Sequence, residues 1–395
     1  MKIKTATTEK TLGERLREID KPLLVLSVLL GLFGVFAVAS ASRYLETTRY
    51  VIVQSAGVVI GIVLMLVLSV LDVEQILRKS AKWLYLLAIL ILGATLVLGH
   101  GDGNRAWISL PVIPVNVQPS ELVKVLFILT FGYHLGKCRS EINRPKNFFL
   151  LLLHGGVITG LVVLQGDLGS ALVFVFAVLV MLFSAGLSLW WFLGMAGVGA
   201  AASPFVWEML GDYQKQRILV GFNPESDPLG KGYQVICSKN AISGGGLFGC
   251  GYMNGVISQN PYKSALPARH TDFIFSVIGE ELGFVGILVL LALLFALIAR
   301  ILVLARRSSG RCGSYFCMGA LAILLFQTLE NVGMCIGLLP VVGLTLPFIS
   351  YGGSSVLSSF LLVGVVLSVG RSGTEPTRFS GERGRLRRKR HRIKT

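Results

Sequence analysis

The chain is short of charge. Only 15% of its 395 residues are Asp, Glu, Lys or Arg, too few to cover the surface of a soluble domain of that size. Runs of short alternating strands are missing, which argues against an outer-membrane barrel. There is no zinc motif, no defensible Ser-His-Asp order, no dinucleotide fingerprint and no ATPase signature. Any reaction therefore uses an activated donor delivered in or from the membrane. The glycine run Gly244-Gly245-Gly246-Leu247-Phe248-Gly249 lacks the Gly-Lys-Ser/Thr ending of a phosphate-binding loop. The six cysteines form no metal pattern. Cys138, Cys312, Cys317 and Cys335 read as small apolar residues in or beside helices. Cys237 and Cys250 share one long loop and form a disulfide only if that loop faces an oxidising side.

Apolar sequence is what the chain has in quantity, at 53%. It comes in uncharged blocks near the roughly 20 residues a helix needs to cross a bilayer. The blocks predict an all-α polytopic membrane protein with about ten transmembrane helices. Their expected positions are about 22–42, 50–71, 81–99, 120–136, 148–164, 168–187, 189–207, 273–304, 313–336 and 352–370. A long outer loop, 208–271, separates the seventh and eighth spans. Residues 1–21 form a cytoplasmic N-terminal segment, 22–370 the membrane domain, and 371–395 a basic cytoplasmic tail. The first block, Leu23 to about Ala41, is too long for a signal-peptide core and reads as a retained anchor.

A net charge of +16 raises nucleic acid as a partner in a soluble protein. Here the basic residues sit in short loops and at the ends, where they set topology. Lys2, Lys4, Lys10, Arg15, Arg17 and Lys21 precede the first span. Arg78, Lys79 and Lys82, then Lys137, Arg139, Arg144 and Lys146, then Arg300, Arg306, Arg307 and Arg311 fall in alternate connections. Arg43, Arg49 and Arg105 are the sparse opposite set. Both termini are thus expected in the cytoplasm of a bacterium, in a multi-pass protein of its cytoplasmic membrane, with no nucleic-acid role. The run Arg385, Arg387, Arg388, Lys389, Arg390, His391, Arg392 and Lys394 is expected to lie on anionic membrane lipids; a docking site for a cytoplasmic partner is the alternative.

Polar residues in or beside spans are costly and are functional candidates by default. Four groups stand out, all on the expected outer face. The first is Gly103-Asn104-Arg105-Ala106-Trp107-Ile108 with Gln118-Pro119-Ser120-Glu121-Leu122-Val123-Lys124. Glu121 and Lys124 are one helical turn apart and able to pair; Trp107 also suits an interfacial anchor. The second is Gln165-Gly166-Asp167-Leu168-Gly169, where Asp167 is also placed to cap a helix. The third is the long loop, with Tyr213-Gln214-Lys215-Gln216-Arg217, Asn223-Pro224-Glu225-Ser226-Asp227-Pro228 and Gly232-Tyr233-Gln234. The fourth is His270-Thr271-Asp272-Phe273-Ile274-Phe275 leading into Glu280-Glu281-Leu282-Gly283. A helix-dipole role for Asp272 leaves Glu280 and Glu281 unexplained.

At these groups the sequence resembles the SEDS family, that of RodA, FtsW and SpoVE, from about 22 to 370. The carrying motifs, in family order, are Arg105-Ala-Trp-Ile, Gln118 to Lys124, Asp167-Leu-Gly169, Asn223 to Pro228, Gly232-Tyr-Gln234, Leu247-Phe-Gly249, His270 to Phe275, Gly279 to Gly283 and Pro347-Phe-Ile-Ser-Tyr-Gly-Gly-Ser-Ser355. Gly333-Met, Gly337-Leu-Leu-Pro340 and the stretch Pro224-Glu-Ser-Asp-Pro228 are similar to the elongation branch, RodA. Three positions depart: Ala268 and Arg269 where Pro-Glu usually precedes His-Thr-Asp, Cys250 in a frequent Gly-Lys-Gly, and Gly166 in place of Pro. The resemblance implies a peptidoglycan glycosyltransferase of cell-wall elongation and cell shape. It would polymerise lipid II outside the membrane beside a class B penicillin-binding protein. Asp272 is then the catalytic base for the acceptor hydroxyl. Arg105, Trp107, Gln118, Ser120, Glu121, Lys124, Asp167, Arg217, His270, Thr271, Glu280 and Glu281 are expected around the substrate. Arg105, Lys124, Arg217 or a divalent cation such as Mg or Mn is expected to neutralise the pyrophosphate. The alternatives are a lipid II flippase, a division or sporulation member of the family, and a non-catalytic scaffold.

Overall fold

The structure, a computed structural model, describes residues 11–101, 104–109, 116–209, 211, 215–216, 219–221, 223–228, 230–262, 265–308, 310 and 312–372. Its helices are α1 (Leu12–Arg17), α2 (Lys21–Ala41), α3 (Arg49–Val70), α4 (Val73–Leu98), α5 (Pro119–Cys138), α6 (Pro145–Leu164), α7 (Leu168–Ser184), α8 (Leu189–Met209), α9 (Lys231–Gly244), α10 (Ile274–Arg307), α11 (Gly313–Cys335) and α12 (Gly353–Ser372). All ten expected spans fall on helices, α2 to α8 and α10 to α12. Seven of these, α2, α3, α4, α6, α10, α11 and α12, are long and apolar enough to cross a bilayer. Among the others, α7 and α8 carry shorter apolar stretches, and α5 carries Glu121, Lys124 and Lys137. The chain is a multi-pass helical membrane protein.

The helix starts follow local chemistry. Asp20 accepts from the Leu23 amide and Pro22 stands in the first turn of α2; Asp72 accepts from Gln75 at the start of α4. Pro119 and Pro145 open α5 and α6, where a missing N–H costs nothing. Burial sorts the bundle. In the most apolar 18 residues of α12, 78% are buried, against 17% in α4, so α11 and α12 are central and α4 faces outward. α12 runs along α3, and α11 packs on α10, α7 and α5.

The connection before α10 is not a plain loop. α9 packs along α10, and the glycine run after it meets a break in α10 at Gly283, whose φ of 66° is open to glycine. That break strands backbone groups, and the run supplies partners. The amides of Phe284 and Val285 donate to the carbonyls of Gly246 (2.9 Å) and Leu247 (3.1 Å). The amides of Cys250 and Gly251 donate to the carbonyls of Glu280 (2.9 Å) and Glu281 (3.1 Å). A kinked helix survives in an apolar setting only when its freed groups are re-satisfied in this way. The glycines thus have a structural reason for their spacing. Cys237 is buried and Cys250 exposed, and the two are not joined, so the disulfide allowed for between them does not form.

At the end opposite the motifs, arginines tie helix ends together. Arg300 grips Asp20 through two bonds, Nε–Oδ1 at 2.9 Å and Nη2–Oδ2 at 2.5 Å. Arg371 donates to the carbonyls of Ser69, Val70 and Leu71. The polar motifs gather at the other end, where α2, α4, α6 and α11 finish and α3, α5, α7, α10 and α12 begin.

Candidate active site

The segment that leads into α10 carries His270, Thr271 and Asp272. Its backbone is held carbonyl by carbonyl. Tyr351 donates its amide to the His270 carbonyl (2.8 Å). Ser350 Oγ donates to that of Thr271 (2.7 Å). Asn331 Nδ2 donates to that of Asp272 (2.8 Å) and also to that of Leu344 (2.8 Å). Three consecutive carbonyls fixed from α11 and from the 337–352 connection leave Asp272 little freedom to drift. A methyl built at Gly343, where φ is 78°, would stand 3.4 Å from Asp272 Oδ2. The carboxylate therefore borders a position without a side chain.

His270 packs between two tyrosines, its ring 4.8 Å from that of Tyr50 and 5.6 Å from that of Tyr351. Its Nδ1 is buried and has no hydrogen-bond partner among the described residues. Burial, with the positive Arg269 beside it, pushes its pKa down to about 4. The ring is neutral at neutral pH. Thr271 Oγ1 donates to the Ala268 carbonyl (3.2 Å).

The second half of the site surrounds the starts of α5 and α7. Asp167 caps α7 through the Ser170 amide (3.0 Å) and accepts from Gln118 Nε2 (2.8 Å). Ser120 Oγ lies 3.5 Å from Ser170 Oγ. Glu121 and Lys124 do pair, at 2.7 Å, with both side chains buried. The two halves meet through the 337–352 connection and the start of α12. Gly169 packs so closely on Val342 and Leu344 that a methyl there would lie 3.0 Å from the Val342 carbonyl. The Gln118 amide donates to Ser354 Oγ (3.2 Å).

The expected residues fall into three kinds. Asp272, His270 and Thr271 lie against α11 and the 337–352 connection, and Gln118, Ser120 and Asp167 cluster at the starts of α5 and α7, where Gly169 touches the same connection. Arg105 is exposed and Trp107 half-buried. They lie on the strand-like stretch where Trp107 pairs with His100, and the Arg105 amide donates to the Gln165 carbonyl (2.7 Å). Four residues depart from the expectation that they face substrate. Lys124 is fully buried on Glu121, which closes both off from solvent. Glu280 accepts the amides of Ile257 and Ser258, each at 2.7 Å. Glu281 accepts from Ser40 Oγ, the Met253 amide, Ser258 Oγ and Gln259 Nε2. These carboxylates are occupied by the loop above them. Arg217 and the basic tail beyond Ser372 lie outside the described residues.

Sequence reading passed over Gln54, Tyr50, Asn331, Ser350 and Tyr351. Gln54 Nε2 donates to the Ser350 carbonyl (3.3 Å). Gln54 and Asn331 were findable, since each is a lone amide in an apolar span. Ser350 and Tyr351 lie in the motif 347–355, which had been noted only as a family mark. Among the described residues no three His, Cys, Asp or Glu side chains converge.

This is a helical membrane protein with one carboxylate on a braced backbone at the end of its bundle. Residues 20–375 match the FtsW, RodA and SpoVE family, described as cell cycle protein, and the chain belongs to that family. It is 36% identical over 366 residues to the peptidoglycan glycosyltransferase MrdB of Escherichia coli, covering 91% of this chain and 95% of that one. It is 36% identical over 367 residues to the probable peptidoglycan glycosyltransferase FtsW of Trichlorobacter lovleyi, covering 90% and 94%. Among solved structures, one reported as the structural coordination of polymerization and crosslinking by a peptidoglycan synthase complex aligns with a TM-score of 0.77 at 32% identity, over 91% of this chain and 99% of that chain. The rod shape determining protein RodA of Thermus thermophilus aligns with a TM-score of 0.67 at 30% identity, over 91% and 98%.

Proposed function

We propose that the chain is a peptidoglycan glycosyltransferase that polymerises lipid II on the outer face of the bacterial cytoplasmic membrane, with Asp272 as its base. One observation carries the assignment of the base: the carbonyls of residues 270, 271 and 272 are each held by a separate donor, and the carboxylate borders a bare glycine. A general base must be positioned first and tuned second. Asp272 takes the proton of the acceptor sugar's 4-hydroxyl. That oxygen forms a bond to the anomeric carbon of the donor sugar. The bond from that carbon to the polyprenyl pyrophosphate breaks, and the pyrophosphate leaves with the electron pair. Of the cations considered for that leaving group, Arg105 is the exposed one among the described residues, and it is assigned that contact. Gln118 and Asp167 shape the wall opposite.

The arginine and lysine distribution supports both termini in the cytoplasm and the site end outside. A class B penicillin-binding protein is the proposed partner, since the aligned synthase complex couples polymerization to crosslinking. The elongation branch is favoured by Gly333-Met and Gly337-Leu-Leu-Pro340; depletion should then round the cells, whereas filaments would point to division. The direct test uses purified full-length protein with its partner, the partner free of glycosyl transfer of its own. Wild type should convert lipid II to polymer, and Asp272→Asn should lose at least about 10²-fold. Polymer from Asp272→Asn at the wild-type rate removes Asp272 as the base, and no polymer from either form points to a flippase or scaffold.

A further inference from the structure

The connection between α9 and α10 has an unusual centre. Arg269 is fully buried, and its neighbours are backbone carbonyls. Nε donates to the carbonyl of Leu266 (3.2 Å). Nη1 donates to those of Ile257 (3.4 Å), Ser258 and Asn260 (2.9 Å). Nη2 donates to that of Tyr262 (3.1 Å). The guanidinium carbon lies 3.6 Å from the centroid of the Tyr44 ring, a cation–π contact with the connection between α2 and α3. A planar five-donor fork is the side chain able to serve so many carbonyls at once.

The same stretch is gripped from its other side by negative charge. Glu280 takes the amides of Ile257 and Ser258, while Arg269 takes their carbonyls. The peptide unit joining Ile257 to Ser258 is thus held between a cation at its carbonyl and an anion at its amide. Glu281 adds Met253, Ser258 and Gln259, and ties them to Ser40 at the end of α2. From Arg269 the path to Asp272 is short and stiff. Ala268, at a φ of 52°, accepts the amides of Thr271 and Phe273, both at 3.1 Å, and this tight turn contains both Arg269 and Asp272.

We propose that Arg269 is a positioning residue for the transfer step, acting through the 257–273 segment to fix where Asp272 presents its carboxylate. This rests on the reading of Asp272 as the base. Arg269 is buried and makes no contact with substrate; its work is to replace water as the partner of inward-turned carbonyls, so that the turn at Ala268 has one conformation.

The test measures lipid II polymerisation by the full-length protein with its partner. Arg269→Gln should lower turnover about 10²-fold, the cost of a misplacement near 1 Å, with KM for lipid II changed less than about 2-fold. Arg269→Lys should not rescue, because a point charge keeps the electrostatics and loses the fork. Tyr44→Phe, which keeps the ring face, should stay near wild type, and Tyr44→Leu should fall between. The deciding comparison is the double variant Arg269→Gln/Asp272→Asn. It should be no slower than Asp272→Asn alone, because a positioning residue has nothing left to position. Multiplicative losses, a KM that moves with the rate, or rescue by Lys would each overturn the proposal. Should Arg269→Gln not fold, the Tyr44→Leu/Asp272→Asn pair gives the same comparison. An active Asp272→Asn, by contrast, removes the base itself and is read independently of Arg269.

Discussion

Asp272 and the pair Glu280–Glu281 stand eight residues apart around the start of the same helix, and different contacts are seen at each. At Asp272 the backbone is bound, through Asn331 and its neighbours, and the carboxylate borders Gly343. At Glu280 and Glu281 the carboxylates themselves are bound, by loop amides, hydroxyls and an amide side chain. A carboxylate that accepts several donors inside the fold is spent on holding a segment in place. One whose backbone is braced can be aimed. The contrast separates residues that a search for costly buried charge lumps together.

The sharpest break of this comparison swaps the consequences. Asp272→Asn should remove catalysis by at least about 10²-fold and leave thermal stability in place. Glu281→Gln should do the reverse in kind. Its amide nitrogen would face the donors of Met253 and Ser40, with a loss of about 2–3 kcal/mol, the scale of hydrogen bonds to a charged group. Thermal unfolding in detergent, read beside the polymerisation rate, checks both. A destabilised Asp272→Asn together with a stable, inactive Glu281→Gln would invert the assignment. Next in size is Gly343→Ala. An L-residue at a φ of 78° costs roughly 1–2 kcal/mol, and the added methyl borders Asp272 Oδ2. Turnover should drop about tenfold, less than the roughly 10²–10⁴-fold worth of a base, because the base is displaced and not removed.

Much of this was legible beforehand. The apolar blocks announced ten helices, because crossing a bilayer imposes length and composition together; most ends agree within a few residues, but α4 begins at Val73 rather than at 81 and takes in Arg78 and Lys79, expected in a loop. Asp272, Gln118 and Asp167 were candidates because polar residues beside apolar spans need a reason. The roles of Glu280 and Glu281 were not legible, since their partners, Ile257, Ser258, Met253 and Ser40, are distant in sequence and mostly engaged through backbone or hydroxyl groups. Arg269 drew notice only as a departure; five carbonyls aimed at one point leave no mark on composition. The glycine run was read only for the phosphate-loop ending it lacks; its fit against the break at Gly283 depends on a contact between two helices that no local pattern encodes.

A smaller effect concerns pH. Burial and Arg269 lower the His270 pKa to about 4 in the fold, against about 6.5 when unfolded. The unfolded chain therefore binds the extra proton between these values. The contribution is fully present above about pH 6.5 and is lost as pH falls toward 4. Melting temperature should decline over that window. The neutral, non-titrating His270→Gln should flatten that part of the profile. A profile of the same steepness in the variant would show that the acid sensitivity arises elsewhere.

The smallest effect tests the far wall. Asp167 does two jobs: Oδ1 caps α7 through the Ser170 amide, and Oδ2 receives Gln118 Nε2. Asn caps a helix as well as Asp, so Asp167→Asn isolates the second job. Its amide can still offer Gln118 an oxygen only by turning its nitrogen toward the Ser170 amide, so one of the two bonds is lost. Stability should fall by about 1 kcal/mol or less, the ordinary worth of one such bond. Asp167→Ala removes both and should cost about 1–2 kcal/mol more than wild type through the lost cap. If Asp167 only caps, Asn and wild type will polymerise lipid II alike. If it also sets the Gln118 side of the substrate wall, Asn should raise KM a few-fold while leaving turnover within about 2-fold, a pattern of lost ground-state binding that neither Asp272→Asn nor Glu281→Gln should show.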